Sequence, residues 1–265
     1  MYGVYSWNAG AVAAQVQADL VALIAGAAVG DLSASCNKAA SSRAGGASGW
    51  SVVDAGYGVV SMPGQAGGPG AFGRVTVSAA PRIQLAAVDA WNMGTHAAGF
   101  QTTAIDCSQS LSVAGSVTVL ASAAGLLLAA SDWGFWAFVG EVKRDGQSLV
   151  GDALAPGSII VNVNGQCYMP RLKSPSAVGD LSGPSVTFAS SFGTLSASAS
   201  RNRAESLYIP MVPAVVAYSS VPVGEVAGLM IAGGYGQSGD FMLDSSGGDF
   251  LIAKFSNTLC AVPRV

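Results

Sequence analysis

Charged side chains are scarce in this sequence. Its 265 residues include 12 Lys and Arg and 15 Asp and Glu, so 10% are charged, whereas 51% are hydrophobic. Charged residues make up about a quarter of a typical globular domain. This scarcity predicts that much of the surface meets other subunits or is covered by small neutral polar side chains. The net charge is −3 and no run of Lys or Arg occurs, which argues against nucleic acid and anionic membranes as partners.

Residues that commonly bind metals are also few, and they are badly spaced for it. The chain has one histidine, His96, and four cysteines, Cys36, Cys107, Cys167 and Cys260, none in a Cys-x-x-Cys pair. We therefore predict no zinc site. Buried free thiols of a protein made in a reducing cytoplasm are the favoured interpretation, with a disulfide as the alternative. The first residues lack the basic segment of a secretory signal.

Catalytic and cofactor-binding motifs are missing from the sequence. It has no phosphate-binding Gly-x-x-x-x-Gly-Lys-Ser/Thr loop, no His-Glu-x-x-His and no Gly-x-Ser-x-Gly. His96 has no nucleophile motif nearby, so a structural role is expected for it. We predict a protein that is not an enzyme and that has no cofactor, metal or catalytic residue. A hydrolase that uses an Asp or Glu with His96 is an alternative.

One amphipathic helix is predicted near the start of the chain, over residues 8–27. Apolar residues recur there at spacings of three and four, which places them on one face. Ser6 or Asn8 could cap the helix, and Gly26 and Gly30 mark its end. The residues of the apolar face are Val12, Val16, Leu20, Leu23, Ile24 and Ala27.

The rest of the chain has the pattern of short antiparallel strands. A hairpin is expected to turn at Ala55-Gly56, with Trp50, Val52 and Val59-Val60 in the core, and Asn164-Gly165 predicts a second hairpin. Prolines that include Pro213 and Pro222 argue against long central strands at their positions. Further strands are expected at 74–78, 82–88, 158–163, 166–169, 185–189, 192–196, 207–209 and 214–218.

These elements predict a mainly β fold, with one or more antiparallel β-sandwich-like domains and one N-terminal α-helix. The proposed division is residues 1–110, with the helix and a first sheet, and residues 111–265, with a C-terminal sandwich. One continuous domain is the alternative.

Residues 116–140 form a long apolar stretch that could span a bilayer by its length alone. Asp132 lies inside it, and a charge at the centre of a membrane helix costs about 3 kcal/mol or more. Gly125, Ser131-Asp132 and Gly134 divide the stretch into pieces of strand length. We interpret it as two or three buried strands, with a transmembrane helix as the alternative.

The C-terminal residues predict a further hairpin, because two apolar runs flank the turn-forming sequence Ser245-Ser246-Gly247-Gly248. Asp240, Asp244 and Asp249 lie at its strand ends and beside its turn. Their spacing does not match a calcium-binding loop, so we expect them to cap backbone N–H groups.

Four aromatic residues are candidates for a binding surface or an interface: Trp91, Trp133, Trp136 and Tyr235. A sugar-stacking platform is one hypothesis for them. Packing in the core or between subunits is the favoured one.

The order of these features resembles a family of tailed-bacteriophage virion proteins. The likeness rests on the early helix, Trp50-Ser51-Val52, the central apolar strands at 125–140, the Tyr-x-Pro-x-x-Pro-x-Val segment at 208–215, and Gly224-Glu225-x-x-Gly228 before the final hairpin. It implies a structural protein of the tail, baseplate or fibre-attachment region.

The same resemblance implies the partners and the location. The partners would be other virion structural proteins and further copies of this chain, with a host surface receptor as an additional candidate. The location would be the virion, assembled in the host cytoplasm. The alternatives are a receptor- or carbohydrate-binding module of a phage tail, and a capsid decoration or neck protein.

Overall fold

The computed structural model describes residues 2–26, 48–62, 72–144, 157–169, 186–188, 211–218, 221–232, 236–243, 248–255 and 258–264. These residues form one helix and 18 strands in a mainly β, antiparallel, sandwich-like fold, which confirms the predicted fold class. The helix α1 is Ala13–Ile24. The strands are β1 Tyr2–Trp7, β2 Ser51–Asp54, β3 Val59–Ser61, β4 Phe72–Val77, β5 Arg82–Asn92, β6 Ala97–Gln101, β7 Ile105–Ser110, β8 Gly115–Ser122, β9 Gly125–Ala130, β10 Trp136–Arg144, β11 Gly157–Asn162, β12 Cys167–Tyr168, β13 Val186–Phe188, β14 Met211–Tyr218, β15 Val221–Ala232, β16 Phe241–Leu243, β17 Asp249–Phe255 and β18 Thr258–Pro263.

Two sheets organise the described residues. The larger has 12 strands in the order β1-β8-β9-β10-β11-β12-β13-β14-β15-β18-β17-β16. In addition, β10 pairs directly with β15, so this sheet curls back on itself and strands β10 to β15 form a closed circuit. The smaller sheet has six strands in the order β2-β3-β4-β5-β6, with β7 also paired to β5.

Strands β8 to β11 separate two hydrophobic cores. Successive side chains of a strand point to opposite faces, and here both faces are buried. Leu126 and Leu128 belong to a core shared with α1 and the six-stranded sheet, which we call the helix-side core. Leu127 and Ala129 belong to a second core with residues of β14, β15, β17 and β18, which we call the enclosed core.

This double burial explains the long apolar stretch at 116–140. A strand buried on both faces has a nearly continuous hydrophobic sequence instead of an alternating one. The stretch forms β8, β9 and the start of β10, as predicted, with breaks after Ser122 and Ala130. No helix in the described ranges is long and apolar enough to cross a membrane.

The helix is shorter than predicted because residues 8–12 form a turn, in which Gly10 has a left-handed φ of 75°. Residues 2–7 make β1, which pairs antiparallel with β8 and buries Tyr5 and Trp7. The N-cap is Val12, with no side-chain capping bond, so the prediction that Ser6 or Asn8 would cap the helix is wrong.

The apolar face of the helix was predicted correctly apart from its first residue. Val12 is 63% exposed, whereas Val16, Leu20, Leu23 and Ile24 are buried in the helix-side core. Gly26 has a left-handed φ of 94° just after the helix, which is the usual way for a helix to end. Ala27 and Gly30 lie outside the described residues.

Strand pairing and a shared core connect residues on the two sides of the predicted domain boundary near residue 110. Strand β1 pairs with β8, and the helix-side core combines α1 and the six-stranded sheet with one face of β8 to β10. Hydrogen bonds between the two sheets also connect the two sides of this boundary. The Trp50 indole donates to the Ser122 carbonyl at 2.9 Å, and the Ser158 hydroxyl donates to the Val88 carbonyl at 2.8 Å.

The predicted hairpins are present. Strands β2 and β3 pair around residues 55–58, and β11 pairs with β12 around Gly165, whose φ is 72°. Strands β16 and β17 also pair as predicted, with Leu243 opposite Asp249, whereas their turn at 244–247 lies outside the described residues. The chain then adds β18, which was not predicted and which pairs with both β17 and β15.

Two β predictions need correction. Val52 is 43% exposed instead of buried, because β2 is the outermost strand of its sheet. Pro213 and Pro222 lie inside β14 and β15, which are long and central, whereas the sequence argued against such strands there. Pro213 is exposed and adjoins a register shift, the kind of irregularity at which a sheet tolerates proline. The strands predicted at 192–196 and 207–209 lie outside the described residues.

The described cysteines are buried and free, as predicted. Cys107 belongs to the helix-side core, and Cys167 and Cys260 belong to the enclosed core. Burial raises the pKa of the Cys167 thiol to about 12, and it also raises the pKa of Cys107 and of Cys260. These thiols are therefore protonated and unreactive at neutral pH. Cys36 lies outside the described residues.

Gly228 is the position at which β15 changes partners. Before it, Val226 pairs with β10, and after it, Met230 pairs with β18. Its φ is 70°, and a Cβ added there would lie 2.3 Å from the Cβ of Ala124 in the β8–β9 turn. Glycine is therefore required both for the left-handed backbone and for the close approach.

We predict that Gly228→Ala lowers the free energy of unfolding by about 2–4 kcal/mol, as the sum of backbone strain and overpacking. The matched control is Gly10→Ala. Gly10 has a similar φ of 75°, but no described atom lies within 4 Å of an added Cβ, so only the strain of about 1 kcal/mol is expected. Urea denaturation of the two variants measures the difference. Equal losses would contradict the close contact with Ala124.

Candidate functional site

Five side chains meet where the β2–β3 turn lies beside the β5–β6 hairpin. They are Asp54, Tyr57, Arg74, Trp91 and His96, and we call them the Asp54 cluster. Three separate parts of the six-stranded sheet contribute: the end of β2 with its turn, strand β4, and the hairpin. The cluster combines a carboxylate, a guanidinium, an imidazole and two larger aromatic rings, and it is our candidate site.

Two turns hold the cluster, and the local backbone conformation and hydrogen bonds of each turn fix its shape. Gly58 has a φ of 73°, and a Cβ there would overlap the Val75 carbonyl oxygen at 1.8 Å, so the β2–β3 turn lies directly against β4. In the β5–β6 turn, the Asn92 side-chain oxygen accepts hydrogen bonds from the backbone N–H groups of Gly94 and Thr95 at 2.9 and 3.1 Å. Such an Asx turn fixes the backbone just before His96.

Asp54 holds the cluster together. Its Oδ2 lies 2.7 Å from Nδ1 of His96 and accepts a hydrogen bond from the Trp91 indole at 3.2 Å. Its side chain is only 8% exposed, whereas that of His96 is 45% exposed. The bond with His96 is the main cause that lowers the pKa of the Asp54 carboxyl below its ordinary value of 3.8. Asp54 is therefore a carboxylate at neutral pH, and it fixes the orientation of two rings.

The rings and the guanidinium form a continuous series of contacts beside this carboxylate, in which Tyr57 and His96 are stacked and Tyr57 and Trp91 are tilted. The Tyr57 and His96 rings are nearly parallel, with their centroids 4.6 Å apart and an interplanar angle of 9°. Tyr57 also contacts Trp91 at 6.0 Å, and the Arg74 guanidinium lies 5.5 Å from the Trp91 ring centroid. Arg74 donates to the Tyr57 carbonyl at 3.1 Å and to the Gln101 side chain at 3.0 Å. The contacts thus run from His96 to Arg74, and a hydrogen bond holds the side chain at each end.

The cluster presents groups that can bind a ligand. With Nδ1 of His96 turned towards Asp54, Nε2 is left for a ligand. An Asp–His pair of this kind can orient a general base, but a hydrolase also needs a nucleophile or an activated water. None of the five residues is a serine or a cysteine. No group of three or more His, Cys, Asp and Glu in the described part of the chain is arranged to hold a metal ion.

The structure does not bring the predicted aromatic residues into one site. Trp91 is half-buried in the Asp54 cluster on the six-stranded sheet. Trp133 is half-buried in the β9–β10 turn of the other sheet, where its φ of 56° is left-handed. Trp136 is 1% exposed and its indole donates to the Lys254 carbonyl at 3.2 Å, so it is a core residue of the chain. Tyr235 lies outside the described residues.

The acidic residues of the C-terminal hairpin have structural partners. Asp240 accepts a hydrogen bond from the backbone N–H of Gln237 at 2.7 Å, which confirms the predicted capping role. Asp249 instead lies 3.4 Å from Arg264. Arg264 also stacks on Phe241 at 4.2 Å and on Tyr2 at 5.1 Å, so it joins the two end strands of the 12-stranded sheet. Asp244 lies outside the described residues.

Asp132 is the charged residue within the apolar stretch at 116–140. It lies in the exposed β9–β10 turn and accepts hydrogen bonds from the Gly134 backbone at 3.0 Å and from the Gln109 side chain at 2.8 Å. These bonds, with that of Gly134 first, lower the pKa of its carboxyl. Asp132 therefore stabilises the turn that separates two buried strands.

Sequence reasoning singled out Trp91 and His96, but it missed Asp54, Tyr57 and Arg74. These residues belong to no local motif, and only the pairing of β2 to β6 brings them together. Comparison with protein-family models, with curated proteins and with solved structures found no significant match for the chain. The functional argument therefore rests on the sequence and on this geometry.

We predict that Asp54→Asn destabilises the protein more at pH 6 than at pH 3. Because the pKa of Asp54 is lower in the folded chain than in the unfolded one, its contribution to stability is fully present above about pH 4 and is lost as the pH falls through the folded pKa. Urea denaturation of the wild type and the variant at both pH values measures this. A difference that does not change with pH would contradict it.

The double variant Asp54→Asn/His96→Gln is the control for the source of the effect. If the pair with His96 is responsible, His96→Gln alone removes most of the same pH-dependent stability, and the two substitutions are not additive. Additive effects would assign the shift to other neighbours of Asp54.

Proposed function

We propose that this chain is a non-enzymatic structural protein of a tailed-phage virion, in the tail, baseplate or fibre-attachment region. It would act by assembling with copies of itself and with other virion proteins. The order of its sequence features, which resembles such proteins, supports the identity. The low charge, 10% of residues, supports a surface that is largely covered in an assembly.

The observation that carries the assembly mechanism is that two strands of the six-stranded sheet, β2 and β6, have one described partner each. Among the described strands, β2 pairs only with β3, and β6 pairs only with β5. Monomeric proteins usually guard such edges with Lys, Pro or bulges that face outward. Strand β2 has a register shift between Val52 and Asp54, but neither β2 nor β6 contains Lys or Pro, and Val52 is exposed. These edges are suited to pairing with another chain.

Exposed apolar side chains near these edges also favour association with another chain. Val52 is 43% exposed, and Met93 in the β5–β6 turn is 52% exposed. Covering such side chains gains about 25 cal/mol per Å² of apolar area removed from water, before the costs of association. Backbone hydrogen bonds at the edge would fix the orientation of the two chains, and burial of apolar side chains would stabilise their complex.

The prediction is that Val52→Lys impairs incorporation of the chain into particles by about tenfold or more, because it places a charge on the edge strand. The matched control is Val113→Lys. Val113 is 49% exposed in the β7–β8 turn and lies in no strand, so this variant should be incorporated like the wild type. Quantitative mass spectrometry of purified particles, together with sedimentation of the isolated proteins, measures both effects.

The two parts of the proposal fail separately in this experiment. Absence of the wild-type chain from purified particles would contradict the virion function. Equal incorporation of the two lysine variants would contradict assembly through the β2 edge. A cryo-EM map that locates the subunit distinguishes the tail and baseplate from the alternative positions, capsid decoration and the neck.

A further inference from the structure

We infer that the Asp54 cluster is a binding site for a neutral saccharide. The inference is independent of the virion function, because it depends only on the geometry of five side chains on the six-stranded sheet. It extends the sugar-stacking hypothesis from Trp91 to a different set of partners, in which Tyr57 and His96 present the rings.

The exposed rings are the first argument for this ligand. Tyr57 is 42% exposed, and the side chain of His96, stacked on it, is 45% exposed. The C–H groups on one face of a pyranose carry partial positive charge and pack well on the electron-rich face of an aromatic ring. The stack therefore offers the apolar part of a sugar site, and the Tyr57 hydroxyl and Nε2 of His96 offer polar atoms for sugar hydroxyl groups.

The charge balance of the cluster indicates that the ligand is neutral. The one carboxylate, Asp54, already accepts bonds from His96 and Trp91, and the one guanidinium, Arg74, already donates to Tyr57 and Gln101. No net charge is left to select an anion or a cation. Nucleic acid, which also stacks on aromatic rings, is disfavoured because the chain has a net charge of −3 and no basic run.

The arrangement is also preorganised. A carboxylate that is 8% exposed is held beneath the rings, where its bonds with His96 and Trp91 compensate the burial of its charge. The β5–β6 hairpin keeps two non-glycine residues in left-handed conformations, Ala90 with a φ of 58° and His96 with a φ of 51°. Strained backbone of this kind tends to occur at functional sites. Both features fix the positions of exposed rings, which is what a weak, stacking ligand requires.

The test is a glycan array of neutral and acidic glycans probed with the full chain, followed by titration of the best neutral oligosaccharide by calorimetry. We expect binding to neutral glycans. Tyr57→Ala should weaken it by about tenfold or more, whereas Tyr57→Phe, which keeps the ring, should stay within about threefold of the wild type. Phe241→Ala is the matched control, because Phe241 is 49% exposed on the other sheet and should not affect binding.

Asp54→Asn tests the positioning role of the carboxylate. It keeps the size of the side chain but weakens the bond that orients His96, so we expect lower affinity with the same preference among glycans. Circular dichroism and thermal denaturation verify that each variant is folded. Binding to acidic glycans alone would overturn the neutral class. Absence of binding to every glycan on the array, or equal affinity of Tyr57→Ala and the wild type, would overturn the site, and neither result bears on incorporation into particles.

Discussion

Burial of strands β8 to β10 on both faces is the constraint on which the rest of the structure depends. Leu127 faces one core and its neighbours Leu126 and Leu128 face the other, so a single strand supports both halves of the molecule. Each fully buried side chain of this size contributes about 1.5–3 kcal/mol from removal of apolar area from water. The backbone polar groups of these strands have no access to water, and the sheet pairing with β1, β11 and β15 satisfies them.

Strands β8 to β10, which we call the central wall, also determine where polar side chains can lie. Strands β8 and β9 contain no charged residue, and Glu141 of β10, 4% exposed, is a buried charged residue of these strands. The groups with varied chemistry lie at the periphery. The Asp54 cluster lies on the six-stranded sheet, and the Arg264 contacts with Tyr2 and Phe241 join the ends of the larger sheet. The proposed assembly edge and the proposed saccharide site both belong to the six-stranded sheet. The larger sheet thus acts mainly as the scaffold for them.

Local patterns in the sequence predicted the elements whose signals are local. Gly125 and Asp132 divided the apolar stretch correctly into strands, because a turn needs such residues wherever it forms. The early strand β1 was missed because its partner β8 lies more than a hundred residues away. Val52 has the chemistry of a core residue, and only its place on an outer strand exposes it.

The candidate site was less predictable than the fold. Nothing in the local sequence of Asp54, Tyr57 or Arg74 suggests a common function, because the three residues meet only after β2 to β6 have paired. His96 attracted attention as the one histidine, but its role depends on a carboxylate that is 42 positions away in the chain. Which side chains stack or hydrogen-bond across strands depends on the register of strand pairing. The composition of the chain does not determine that register.

Hydrogen exchange of the native protein, measured peptide by peptide with mass spectrometry, tests the central wall most directly. If β8 to β10 support both cores, their amide groups exchange most slowly and only through global unfolding, while those of β2 and β16 exchange through smaller openings. Peptides from 117–130 and 136–142 should therefore be the last to take up deuterium. Exchange in these peptides that is as fast as in β2 or β16 would show that the two cores do not depend on a shared wall.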